Sequence, residues 1–305
     1  MKGIVPSLNT PFNADGSLDR ASLRRLVHHT VEAGCGGMLG QAVAGEHATL
    51  TIAEKTAFIE TATKANAGRI PFIVSVTAPE PDTSIELAKI AAEFHAAGVC
   101  VQLPDAFSLP DKLEFLQGLA LQAPGVLMVQ DLDWEGDGLP MADIAFLFER
   151  VDQFTWLKIE TNNAGPKYSA VLEATRGELN VCGGWAVTQL MDAMARGVHA
   201  FIPTGMERVY VTIHKAYETG DIETATALFN RVLTVLNFSN QHIDTSIRFF
   251  KELRKAEGLF DTNICRAVDG ALDASEGQAV LEALQTALRL MRDVEIDGPL
   301  TRQEI

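Results

Sequence analysis

The sequence predicts an α/β protein built as a (β/α)8 barrel with a C-terminal helical extension, and three observations lead there. Short apolar runs alternate with longer amphipathic ones, the pattern of parallel strands joined by crossover helices. Eight such pairs fit into about 220 residues, the size of one closed barrel. Beyond Gly220 the alternation stops and helical periodicity continues alone. A doubly wound open sheet is the rival architecture, but no GxGxxG or P-loop pattern follows any strand. We therefore divide the chain into a barrel over 1–220 and an extension over 221–305. With no Pro/Gly/Ser linker between them, the extension is expected to pack on the barrel.

The strands are expected at Gly3 to Thr10, Gly36 to Ala42, Pro71 to Thr77, Val99 to Pro104, Val126 to Asp131, Phe154 to Glu160, Leu179 to Gly183 and Ala200 to Thr204. Nearly all their residues are apolar, as in strands covered on both faces. Helix signals lie between them: Leu23, Leu26 and Val27 on one stripe, and capping-box patterns at Thr51 to Glu54 and Thr83 to Glu86. Gly34, Gly68 and Gly98 are expected to end three helices. In the extension, helical periodicity runs through 221–236, 239–257 and 276–294.

Composition narrows the function. The 305 residues carry a formal charge of −15, with 47% hydrophobic and 21% charged residues. That balance argues against a nucleic-acid partner or an anionic membrane surface, since both need clustered Lys and Arg. Cys35, Cys100, Cys182 and Cys265 show no metal or redox spacing, and the first three sit in apolar runs, as in a reduced cytoplasmic protein. The segment from Met1 to Pro6 lacks a signal-peptide core, and no run is long enough to span a membrane.

One strand carries an anomaly. Phe154-Thr155-Trp156-Leu157-Lys158-Ile159-Glu160 places a lysine inside an apolar run with a carboxylate two residues later. Burial disfavours an ammonium, so its pKa falls and a free amine becomes available to attack a carbonyl. The bland alternative is a lysine that emerges at the strand end and pairs with Glu160. Alternation points Lys158 and Glu160 the same way and Ile159 into the helix layer.

Three stretches together resemble the dihydrodipicolinate synthase/N-acetylneuraminate lyase superfamily of Schiff-base aldolases: Thr10-Pro11-Phe12 with Asp15-Gly16-Ser17-Leu18-Asp19, Gly45-Glu46-His47-Ala48-Thr49-Leu50-Thr51, and Leu157-Lys158-Ile159-Glu160. Fainter matches run through Cys182-Gly183-Gly184 and Gly220-Asp221 to Lys251. The resemblance implies a (β/α)8 barrel with a helical extension and makes Lys158 the residue that forms an imine with a 2-oxo acid. It further implies that Val43, Ala44, Gly45, Gly183 and Ile202 line the substrate pocket; Thr204, two residues beyond Ile202 at the end of strand eight, is expected by alternation to face the same space. It also implies a homo-oligomer, a tetramer or a dimer.

The chain departs from the family pattern at informative places. The paired hydroxyls before Gly-Glu are replaced by Val43 and Ala44, leaving backbone N–H groups near Ala44 and Gly45 to hold a carboxylate. The proton-shuttling tyrosine of strand five falls at Gln130, which cannot titrate. Asp105-Ala106 replaces the aromatic pair after Pro104, and Glu135 stands near the arginine of the lysine-pathway enzymes. A lysine-biosynthetic role is therefore disfavoured. Glu160 becomes the first candidate proton carrier, against the alternative of a rim salt bridge with Lys167; His47 and Asp131 are lesser candidates. Glu46 is expected to bond backbone within its loop. The run Asp131 to Asp137 resembles the start of an EF-hand loop, but the closing bidentate position is Ala142, so a solvated acidic loop is the simpler reading. Trp134 and Trp185 are candidates for narrowing the entrance.

The expected protein is thus a lyase, an aldolase or dehydratase, acting on a 2-oxo acid such as a 2-oxo-3-deoxy sugar acid, with no cofactor and no metal. The rivals are a 2-oxo-acid binding or regulatory protein that has lost turnover, and a metal-dependent lyase using the acidic loop.

Overall fold

A computed structural model describes residues 1–268 and 274–297, apart from the side chains of 185, 186, 274–276 and 295–297. Eight parallel strands form one sheet: β1 (Gly3–Ile4), β2 (Met38–Gly40), β3 (Phe72–Ser75), β4 (Gly98–Gln102), β5 (Val126–Asp133), β6 (Phe154–Thr161), β7 (Asn180–Gly183) and β8 (Ala200–Phe201). Their order is β1-β8-β7-β6-β5-β4-β3-β2. The two ends of that order meet, because Ser7 bridges in parallel to Leu39 of β2. Leu8 N–H donates to the Leu39 carbonyl at 2.8 Å and Leu39 N–H to the Pro6 carbonyl at 3.0 Å. The sheet closes into the expected barrel, which leaves neither edge strand unpaired.

β1 and β8 are shorter than their apolar runs suggest. Pro6 and Pro203 follow them closely, and a residue without an N–H cannot donate to a ladder.

The crossover helices are α1 (Arg20–Glu32), α2 (Ile52–Asn66), α3 (Pro81–Glu93), α4 (Leu109–Ala120), α5 (Met141–Phe148), α6 (Ala164–Ala174), α7 (Leu190–Ala195) and α8 (Glu207–Glu218). The capping box at Thr51 and Glu54 opens α2 as expected. The one expected at Thr83 does not form: α3 starts at Pro81, whose fixed φ suits a first helical position. Gly98 opens β4 instead of ending α3; the reversal is made by His95, at φ 59°.

Inside the barrel, Val5, Leu39, Ile73, Cys100, Met128, Trp156, Cys182 and Ala200 form an apolar plug, one residue from each strand or its immediate extension. Two residues further along β4, β5 and β6 the same inward parity brings Gln102, Gln130 and Lys158 into register. The barrel is therefore apolar below and polar at its carboxyl end. A register shift helps to set that parity. Leu127 pairs with Phe154 but Met128 pairs with Trp156, so Thr155 is an extra residue in β6. The bulge sends Phe154 to the helix side and Trp156, with Lys158 and Glu160 behind it, into the barrel.

The extension consists of α9 (Ile222–Ser239), α10 (Ile243–Ala256) and α11 (Ala274–Asp297). Arg254 of α10, fully buried, pairs with Glu207 of α8 and with Glu257, which pins the extension to the barrel. α10 also lies against the turn Val43–Gly45 after β2, so a helix outside the barrel reaches its mouth.

Candidate active site

Lys158 and Glu160 leave β6 side by side, 4% and 8% exposed, with Lys158 Nζ 2.9 Å from a Glu160 carboxylate oxygen. Gln130 on the neighbouring strand donates its amide to the same oxygen, and its own carbonyl accepts from the Gln102 amide at 3.3 Å. Burial pushes the Lys158 amine down, yet the net shift is upward, with the Glu160 charge the largest of the raising causes. This reverses the direction expected from burial alone. The resting state is an ammonium facing a carboxylate, a nearly neutral unit that keeps one transferable proton inside the barrel.

Gly184 makes room for that pair. A Cβ there would lie 1.9 Å from Glu160 Oε1 and 2.7 Å from Lys158 Cε. Its φ of −83° is ordinary, so space and not backbone conformation demands glycine.

The pair faces a cavity of about 50 Å³. Val43, Ala44, Ile202 and Thr204 line it, as expected. Gly45 and Gly183 do not. The Gly45 N–H donates to the Ala42 carbonyl at 2.9 Å, and the Gly183 carbonyl accepts from Ile202 N–H within the β7–β8 pairing. Gly184 takes the place at the wall where Gly183 was expected. With Glu46 N–H also bonded to Val43, the groups of this turn left for an anion are the Val43 and Ala44 N–H, which no described backbone carbonyl engages. Trp134 lines the same cavity and is 41% exposed, at the entrance; the side chain of Trp185 falls outside the described residues. Gln130 lines a second cavity, of about 530 Å³, on the β3–β5 side, so it stands between the two.

The lesser candidates lie elsewhere. Asp131 turns to the helix layer, where it pairs with Lys167 of α6 at 2.5 Å and accepts from Leu139 N–H at 2.7 Å. Lys167 is thereby committed to Asp131 and not to Glu160. Asp133 accepts from three backbone N–H groups, those of Glu135, Gly136 and Gly138. These two of the four carboxylates of the acidic loop thus serve to fold the loop. His47 is pushed down to about 4 by burial and by the charge of Lys55, and it bonds the Thr77 backbone outside the cavity lining.

Glu46 is structural, but not within its loop. It sits in the left-handed region at φ 56°, pairs with Lys251 of α10 at 2.7 Å and accepts the N–H groups of Arg266 and Ala267 at 2.6 and 2.7 Å. Lys251 also donates to the Thr10 and Ile264 carbonyls. The turn that carries Val43 and Ala44 is therefore held by the extension.

Sequence reasoning missed Ser7, Tyr210, Asn240 and Ser246, which complete the cavity wall. Ser7 was within reach, since it shares the inward parity of Val5. The other three lie on or beside helices whose apolar stripe says nothing about a cavity.

Comparison with known proteins bears on the family and the fold. The model of the Dihydrodipicolinate synthetase family matches residues 1–287. The chain is 27% identical over 249 residues to L-2-keto-3-deoxyarabonate dehydratase of Azospirillum brasilense, covering 79% of this chain and 80% of that one. It is 23% identical over 239 residues to an Escherichia coli (strain K12) protein named "Probable 2-dehydro-3-deoxy-D-pentonate aldolase", covering 76% and 79%. The crystal structure of dihydrodipicolinate synthase from Rhodopseudomonas palustris superposes with a TM-score of 0.86 at 21% identity, covering 94% of this chain and 97% of that one.

Proposed function

The chain belongs to the dihydrodipicolinate synthetase family, and from that membership we propose a lyase, an aldolase or dehydratase, that holds a 2-oxo acid as an imine on Lys158. The observation that carries the proposal is the buried Lys158–Glu160 pair, 2.9 Å apart and open to the cavity. Similar proteins named as a dehydratase and an aldolase of 2-oxo-3-deoxy acids support the reaction class.

In this reading Glu160 takes the Lys158 proton when substrate displaces water, and the free amine attacks the C2 carbonyl. The carbinolamine then loses its hydroxyl as water with the proton returned by Glu160, leaving an iminium and a carboxylate. The iminium accepts the electron pair released at C3, whether a C3–C4 bond breaks or a C3 proton leaves ahead of β-elimination. Val43 and Ala44 N–H are assigned to the substrate carboxylate. Gln130 orients Glu160 by the hydrogen bond that the structure shows. Assembly as a tetramer or dimer is part of the proposal, checked by sedimentation.

Borohydride trapping with pyruvate and a panel of 2-oxo acids, followed by peptide mass spectrometry, tests the imine. An adduct at Lys158 is expected; none with any member of the panel would sink the mechanism, and an adduct without turnover would favour a binding protein. Glu160→Gln tests the proton carrier. Without the Glu160 charge the largest cause raising the Lys158 amine is gone and burial still lowers it, so the pH profile of trapping moves to lower pH. Turnover meanwhile falls by roughly 10²–10⁴-fold, the usual contribution of a general acid–base group. An unchanged pH–rate profile removes Glu160 from the role.

A further inference from the structure

The cavity holds two polar groups that the reaction at Lys158 does not use. Ser7 is 4% exposed and Tyr210 1% exposed, both line the cavity, and neither hydroxyl has a hydrogen-bond partner among the described residues. Buried hydroxyls in folded proteins are nearly always satisfied, so two orphans in one cavity beside a reactive pair call for a shared ligand. Tyr210 comes from α8, outside the barrel, and Asn240, Ile243, Ser246 and Phe250 from the extension wall the same space. The cavity therefore has an arm that leaves the barrel mouth and runs beneath the extension.

The chemistry of that arm is specific. Its polar groups are hydroxyls and one amide: Ser7, Thr204, Tyr210, Ser246 and Asn240. Among the described residues Lys158 is the one basic side chain in the cavity lining, and Glu160 already neutralises it. Burial and the nearby Glu207 charge push the Tyr210 phenol upward, so it remains a neutral donor and acceptor. A second carboxylate or a phosphate on the substrate would meet no cation there. A purely alkyl chain would leave the hydroxyls unmet. At about 50 Å³, by a measure in which one water needs about 10–15 Å³, the space accepts a short chain and not an oligosaccharide.

Resting on the reading of Lys158 as the imine residue, we propose that the substrate's chain beyond C3 is short, uncharged and hydroxylated, and that Ser7 and Tyr210 read its hydroxyls beneath the extension. These two are specificity residues and not reacting groups. They distinguish a dihydroxylated 2-oxo acid from its deoxy, dicarboxylate and phosphorylated analogues.

The test compares 4,5-dihydroxy-2-oxopentanoate, 2-oxopentanoate, oxaloacetate and pyruvate on the full chain, in wild type, Ser7→Ala and Tyr210→Phe. Calorimetric binding and borohydride trapping are read side by side. In wild type the dihydroxy acid is expected to bind at least tenfold better than 2-oxopentanoate, with oxaloacetate weaker than pyruvate. Each variant should cut the dihydroxy/deoxy ratio by about 5–20-fold, since a site built to bond a hydroxyl loses its discrimination when a partner is removed. Because Tyr210→Phe removes a hydroxyl that bonds no described protein group, its melting temperature should match or exceed that of wild type. A ratio unchanged in both variants overturns the proposal, as does a wild-type preference for oxaloacetate or 2-oxopentanoate. Binding needs no imine, so failure of trapping alone condemns the Lys158 chemistry and leaves the arm to be judged by the binding ratios.

Discussion

Two buried lysine–glutamate pairs stand in this molecule, and they differ in what surrounds them, backbone for one and a cavity for the other. Lys251 and Glu46, both with fully buried side chains, spend their remaining capacity on backbone: the lysine on the Thr10 and Ile264 carbonyls, the carboxylate on two N–H groups. Lys158 and Glu160 share one contact between themselves and one with Gln130, then face a cavity. Their amines also move in opposite directions. Burial holds Lys251 below its ordinary value despite Glu46, whereas Glu160 carries Lys158 above it. A pair bonded on both sides to backbone is a fastening, while one that opens on a cavity keeps donors and a proton free for chemistry.

The largest expected effect tests the open pair. Lys158→Met should lower turnover by about 10⁴-fold or more, since no neighbour replaces a covalent nucleophile, while calorimetry shows a melting temperature within a few degrees of wild type. Residual activity near wild type would end the distinction. Next comes the closed pair. Lys251→Met strands the Glu46 carboxylate in the interior, and losing one partner of a buried pair costs about 3–5 kcal/mol. The corresponding fall in melting temperature is roughly 5–15 °C. A variant as stable as wild type yet inactive would mean that this pair, too, belongs to the chemistry.

Gly184→Ala sharpens the comparison by disturbing the open pair without touching its charges. The new Cβ has to displace Glu160 Oε1, which would be 1.9 Å away, and with it Lys158. A misplacement of about 1 Å at a reacting group is worth on the order of 10²-fold, so kcat should drop by about 10–100-fold with the fold retained. Normal turnover would show that the pair tolerates movement and that its 2.9 Å geometry is incidental.

Much of this contrast could be read from the sequence, both halves of the open pair and only the Glu46 half of the closed one. The apolar run around Lys158 and the parity linking it to Glu160 are local, and so the strand, its direction and its pairing were legible. The barrel followed from the same local signals, and its closure was expected from them. The bulge at Thr155 was not legible, because nothing in Phe154-Thr155-Trp156 fixes which strand partner is skipped. Lys251 was legible only as the far end of the fainter family matches, and its partner Glu46 came with the fold. The direction of the Lys158 shift stayed open for an energetic reason: burial lowers the amine and an ionised Glu160 raises it, and a sequence gives the burial but not the separation that decides the outcome.

A third cation–carboxylate contact at the edge of the closed pair calibrates the scale from the weak end. Glu54 meets Arg266 at 2.5 Å, with about a fifth of each side chain exposed, while the Arg266 backbone N–H holds Glu46. The Arg266 hydrogen bond is the largest influence on Glu54 and, with Thr51 and the Arg266 charge, holds its carboxyl near 2 against an ordinary 4.5. A carboxyl depressed on folding adds stability that is complete above pH 4.5 and is lost as pH falls from 4.5 through about 2. Solvent screening keeps the amount to about 1 kcal/mol or less. Glu54→Gln should therefore flatten that acid limb in urea titrations, lower stability slightly at pH 7, and show a smaller effect in high salt. If instead it destabilises as much as Lys251→Met, burial is not what separates a fastening from a surface contact here, and the ranking of the three pairs fails.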